Sequence, residues 1–206
     1  MMSVVQELDR VLNSKIVPTP PVVMLRVMEV QRREDSGLLD LVEAVSIDPG
    51  LSAKIIAMAN SAVYRRDREA TTIERAVAQI GARSVVTMSL AHSIAGKFPK
   101  EGVIGGVSLS DFWRRSLISA VAARQLAGEI IPDLREEAFF VGLMAGLGRL
   151  ALVDSLSERY EAIAVSSNGW PTTEAEQNNL GMSSLKVTAE LLRRWNLPDM
   201  FTDAIV

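Results

Sequence analysis

Between Phe139 and Val153 every residue is apolar or glycine except Arg149. Such a run has to be buried. It falls short of the roughly 20 apolar residues needed to span a bilayer, so it is expected as a core helix of a soluble protein. Gly142, Ala145, Gly146 and Gly148 leave a thin strip along it. Small side chains there would let neighbouring helices approach closely, with no open cavity between them.

The rest of the 206-residue chain agrees with a helical protein. It is 48% hydrophobic and only 5% aromatic, and Ala, Leu, Met, Glu and Arg, which favour helices over strands, are plentiful. No stretch alternates with period two, so the fold class is all-α. The net charge of −3 gives no basic footprint for nucleic acid. The absence of Cys excludes disulfides, thiol catalysis and zinc–cysteine sites. It agrees with a cytoplasmic location, as does an N-terminus with Glu7 and Asp9 and no signal-peptide core.

Helical periodicity appears at Val4 to Leu12, from Val22 to Met28, at Leu38 to Val45 and from Leu51 to Asn60. It returns at Ala76 to Ile80, Ser84 to Ala95, Asp111 to Glu129, Asp133 to Val153, Ser157 to Val165, Thr173 to Asn179 and Ser183 to Trp195. Pro18-Thr19-Pro20-Pro21 re-aims the backbone, and Asp48-Pro49 provides an N-cap and a first helical proline. Thr71/Glu74, Asp133/Glu136 and Thr173/Glu176 have capping-box spacing. Residues 102–110 hold three glycines and are expected as a linker between two packed helical lobes, 1–101 and 111–206.

With these helices placed, the chain resembles the HD-related output domain (HDOD) of bacterial signalling proteins. The resemblance rests on Pro18-Thr19-Pro20-Pro21, Ser46 to Lys54, Ala59-Asn60-Ser61-Ala62-Val63-Tyr64, Thr72 to Ala76 and Ile80-Gly81. In the second half it rests on Phe112 to Ser116, Gly181 to Ser184 and Arg194-Trp195-Asn196-Leu197-Pro198. Gly142 to Leu150 looks like the core helix of HD phosphohydrolases, which there reads roughly Gly-Leu-Leu-His-Asp-Ile-Gly-Lys-Leu. The resemblance implies an HD-like helical bundle over residues 1–206. It also implies that Arg115, Ala145, Gly146 and Ser184 occupy the metal-ligand slots. None of these supplies the N, O or S ligand set that a divalent cation needs, so neither metal nor cofactor is expected.

Elsewhere the chemistry is sparse. His92 is the sole histidine, and Gly96 stands at i+4 where a second ligand would be. It reads as a helix-face residue making a hydrogen bond. No Gly-x-Ser-x-Gly elbow is present, and no carboxylate pair stands out. Asn60-Ser61 reads first as a helix C-cap and second as a recognition surface. Tyr64, Arg65, Arg66 and Arg68 combine an aromatic with arginines, residue types enriched at binding hot spots.

The sequence therefore points to a non-catalytic signal-transduction or protein-interaction module. Its partner would be a protein of a signalling pathway, engaged through Asn60, Ser61, Tyr64, Arg65, Arg66 and Arg68. One alternative is a nucleotide or cyclic-dinucleotide sensor using the arginines. Another is a metal-dependent phosphohydrolase with a displaced site.

Overall fold

The computed structural model describes residues 4–65, 68–167 and 170–205. It is all-α apart from one small hairpin. In chain order the helices are α1 (Val4–Leu12), α2 (Val22–Arg32), α3 (Leu38–Ser46), α4 (Pro49–Ala59), α5 (Ile73–Ile80) and α6 (Ala82–Ala95). Strands β1 (Val103–Ile104) and β2 (Val107–Ser108) follow, then α7 (Leu109–Ile130), a 3-10 turn at Pro132–Leu134, α8 (Arg135–Met144) and α9 (Leu147–Ser155). The chain closes with α10 (Ser157–Ser166), α11 (Thr173–Leu180), α12 (Ser184–Arg194) and α13 (Asp199–Asp203).

These elements form two compact units, Pro20–Lys97 and a discontinuous one made of Met1–Thr19 with Phe98–Val206. The boundaries differ from the expected lobes at both ends. Helix α1 lies against α9 and α12. Its Val11 is fully buried, Glu7 pairs with Arg159, and Asp9 pairs with Arg194. Residues 102–110 are no linker. Val103 pairs with Ser108 and Ile104 with Val107, and Ser108 caps α7 by accepting from Asp111 N at 3.3 Å. Gly105 and Gly106 turn the hairpin with φ of +50° and +76°, the left-handed pair that a two-residue turn requires.

In the Pro20–Lys97 unit, local signals set the helix starts. Asp48 Oδ1 accepts from Gly50 N at 2.8 Å and Leu51 N at 3.1 Å, with Pro49 opening α4. Thr72, one residue later than expected, caps α5 through Arg75 N. Its core is formed by Met24, Val27, Leu41, Val45, Leu51, Ile55, Val77, Val85 and Leu90.

In the larger unit the apolar run is two helices, with a break at Ala145 and Gly146. The segment Pro132–Ser155 is long and apolar enough by composition to cross a membrane, yet half of its apolar window is buried inside the protein. Phe140, Met144, Leu147, Leu150 and Leu152 are core residues, and Phe140 packs on Phe201 with ring centroids 4.7 Å apart. The thin strip works by contact. A Cβ on Gly142 would sit 2.7 Å from Ser119 O of α7, and one on Gly148 would sit 2.2 Å from Ser184 O of α12. Only glycine permits either approach.

Candidate functional site

The four positions that the resemblance assigns to metal ligands belong to the larger unit. Ala145 and Gly146 form the α8–α9 break, Ser184 opens α12, and Arg115 lies on α7. A side chain at 146 has little room, because a Cβ there would stand 3.2 Å from Phe112 Cε2. The break exposes polar backbone that Thr188 of α12 satisfies. Its hydroxyl accepts from Gly148 N at 2.7 Å, and its single proton is shared between Ala145 O at 2.8 Å and Ser184 O at 2.9 Å.

Beside this joint lies a buried polar network. Arg149 Nη2 donates to Pro171 O at 2.9 Å and pairs with Glu176 Oε1 at 3.0 Å. Glu176 is fully buried. It also accepts from Tyr160 Oη at 2.6 Å and, through Oε2, from Ser184 N at 2.7 Å. Burial pushes the Tyr160 hydroxyl well above the usual tyrosine value, with Arg149 working in the opposite direction. Arg149 Nη1 is buried without a hydrogen-bond partner. The guanidinium does lie over Trp170, with Cζ 4.2 Å from the ring centroid, where the negative ring face attracts it.

Arg115 is exposed, and its Cζ is 4.6 Å from the Trp170 centroid. Among the described residues it therefore stacks on an aromatic ring and makes no ion pair with a carboxylate. The residues present do not fit a divalent metal: a methyl, a hydrogen, a serine and two guanidinium groups surround the joint, and a guanidinium repels a cation. Among the described residues, no group of three or more His, Cys, Asp or Glu stands together.

The sequence reading missed Arg149, Glu176, Tyr160 and Thr188. Glu176 is no capping residue. Thr172 caps α11 through Ala175 N at 3.1 Å, one residue earlier than expected, and that turns Glu176 inward. Glu136 is likewise nine-tenths buried and paired with Arg124 at 2.6 Å and Arg135 at 3.3 Å, while Asp133 sits in the preceding 3-10 turn.

The other predicted residues belong to the Pro20–Lys97 unit. Asn60 is the C-cap of α4, as expected, but with φ of −89° rather than a left-handed conformation. Its side chain is a clamp: Oδ1 accepts from Ala70 N and Nδ2 donates to Ala70 O, both at 2.8 Å. Gln79 Nε2 supports the same loop, donating to Tyr64 O at 2.9 Å and to Ala59 O. Arg65 and Arg68 are exposed, and Ser61 and Tyr64 half-buried. Arg66 lies outside the described residues. Lys54 Nζ donates to His92 Nδ1 at 3.1 Å, so His92 makes its hydrogen bond between α4 and α6.

Residues 17–206 match the family profile of the HDOD domain. No curated protein matches the chain. Solved structures do. A protein of Shewanella amazonensis SB2B, provisionally described as a phosphohydrolase, is 28% identical with a TM-score of 0.75, over 98% of this chain and 70% of its own. An HDOD domain protein of unknown function from Geobacter sulfurreducens is 21% identical with a TM-score of 0.72, over 98% and 70%. A protein of Marinobacter aquaeolei VT8, provisionally described as acting in signal transduction, is 21% identical with a TM-score of 0.73, over 98% of this chain and 49% of its own. The latter two likenesses carry the fold alone.

Proposed function

The chain belongs to the HDOD family, and on that premise we propose that it is a non-catalytic signalling module that works by binding a protein partner. The resemblance supports the reading: it puts Arg115, Ala145, Gly146 and Ser184 where HD phosphohydrolases hold a metal, and the single observation beside it is that the adjoining interior holds the Arg149–Glu176 pair. A methyl, a hydrogen and one hydroxyl in those slots, beside a buried carboxylate already held by Arg149, leave no ligand set for metal-activated hydrolysis.

The partner surface on this reading is the segment after α4. Asn60 and Gln79 fix its backbone, while Tyr64, Arg65 and Arg68 present an aromatic and two guanidinium groups on it. A segment of this composition, held at Tyr64 and at Ala70, suits docking.

The test has two arms. Protein purified without chelator is assayed against phosphomonoesters and phosphodiesters with added manganese or iron, with its metal content measured. Metal-dependent turnover, or stoichiometric metal, would overturn the reading in favour of a hydrolase. In the second arm, Tyr64→Ala with Arg65→Ala is expected to reduce capture of the partner in a pull-down while circular dichroism stays unchanged. Calorimetry against a panel of nucleotides and cyclic dinucleotides separates the sensor alternative, which a saturable heat of binding would favour.

A further inference from the structure

Helix α1 lies against α9 and α12 through one narrow face. Leu8, Val11 and Leu12 fall at i, i+3 and i+4 and so share a side of the helix. Val11 and Leu12 are buried and Leu8 is half-buried. Glu7 and Asp9 are the residues before and after Leu8, each about 100° around the helix from it, so a carboxylate flanks the apolar seam on both sides. Each carboxylate meets an arginine. Glu7 pairs with Arg159 of α10, and Asp9 pairs with Arg194 of α12 at 2.5 Å. Arg194 also donates to Asn13 Oδ1 at 3.3 Å. The groove is thus matched to one kind of occupant: a helix with an apolar seam between two carboxylates.

The hold on α1 is light. Val5, three residues before Leu8 on the same side, is 76% exposed, so the groove grips only the second half of the helix. Both ion pairs reach solvent, where such pairs contribute little. The helix has nine residues, and an isolated helix shorter than about 12–15 residues is marginal in water. Helix α1 is therefore helical because it is seated, and unseated it is an open tail. Its tether is Pro18-Thr19-Pro20-Pro21. Three of these four residues have no N–H to give to a backbone ladder, and Pro21 is extended, with φ of −63° and ψ of 146°. Proline-rich tethers of this conformation reach outward instead of coiling.

We infer that α1 is an exchangeable arm, and that the groove of one chain takes the arm of a second copy in place of its own. The second copy is the occupant because it carries the same seam and the same two carboxylates. Exchange remakes every contact of the closed form and alters only the tether, which is why swapping an identical element is a low-cost route to a dimer. The inference goes beyond the proposed function. It uses neither the Arg115–Ser184 positions nor the Tyr64 segment, so hydrolase activity or an unchanged pull-down would leave it untouched.

Two full-length variants test it by complementation. Val11→Asp with Leu12→Asp disables the arm and leaves an open groove. Arg159→Glu with Arg194→Glu sets the groove against its own arm and leaves that arm free. Each alone should sediment as a monomer, and an equal mixture should form a one-to-one heterodimer. Adding Glu7→Arg and Asp9→Arg to the second variant restores the match to its own groove, so the heterodimer should vanish. A labelled peptide of residues 1–17, titrated into the wild-type chain and into Leu12→Ala, keeps the test decisive should the arm variant misfold. The peptide should bind Leu12→Ala roughly tenfold more tightly, because the competing arm is weaker. A mixture that stays monomeric, or a peptide that binds neither protein, would overturn the inference and leave the groove to its own arm alone. A heterodimer that survives the charge reversal would also overturn it, by placing the contact on another surface.

Discussion

Arg149 Nη2 and Glu176 Oε1 meet at 3.0 Å, with both side chains almost completely withdrawn from solvent. Two charges so placed stabilise a fold only while both are present, because each alone carries its full desolvation cost. Arg149→Met is therefore expected to destabilise by about 3–5 kcal/mol in urea unfolding. Adding Glu176→Gln should cost less than the sum of the single effects, because the two residues share one network. Additive losses would show that the pair is not coupled.

Tyr160 gives this network a pH dependence. Its hydroxyl donates to Glu176, and burial raises its folded pKa above the unfolded value. A raised pKa stabilises the fold fully below the unfolded value, about pH 10 for tyrosine, and the contribution declines as pH rises beyond it. The wild-type protein should thus lose stability above about pH 10 more steeply than Tyr160→Phe. At neutral pH that variant should be the less stable by about 1.5–3 kcal/mol, the worth of one hydrogen bond to a charged group, with Glu176 Oε1 still held by Arg149. Parallel slopes in alkaline melts would refute the linkage.

Reinstating the His-Asp doublet at Ala145 and Gly146 should not produce a metal enzyme. The new side chain at 146 would run into Phe112, and Arg149 would remain close to the joint. Melting should fall by the equivalent of about 1–3 kcal/mol of overpacking, with more added by any unpaired carboxylate. A variant that melts like the wild type and retains manganese through gel filtration would contradict this.

Two glycines offer a matched comparison. Gly148→Ala places a methyl 2.2 Å from Ser184 O, so α9 and α12 must separate; a loss of about 1–3 kcal/mol or more is expected. Gly128 lies in α7 with nothing within 4 Å of a new Cβ, so Gly128→Ala should stabilise by about 0.5–1 kcal/mol through helix propensity. Thermal melts of the two variants should move in opposite directions.

Much of the fold was legible because its signals are local. The Asp48-Pro49 cap and the apolar stripes each require only a few neighbouring residues. The hairpin was missed although Gly105-Gly106 between Ile104 and Val107 is a turn signal, because strands of two residues are too short to show alternation. The thin strip of small residues was legible, and it is where neighbouring helices come close. The polar network beside it was not. Arg149 stands out as the one charge in an apolar run, but its partner lies in another helix, and Glu176 had a local explanation as a cap. A shift of one residue in the start of α11 separates an exposed carboxylate from a buried one, and spacing does not resolve a single residue. Nor could periodicity say which helices α1 would join.

That last point has a consequence for how the molecule comes into being. Helix α1 is made before the rest of its own unit, yet its contacts are with α9 and α12, and the whole Pro20–Lys97 unit is made in between. At bacterial or eukaryotic elongation speeds it waits roughly ten to forty seconds for those helices. During that interval the Pro20–Lys97 unit has all of its own chain and can finish folding. A helix synthesised early is thus placed late, and the larger unit cannot close until α12 has been made.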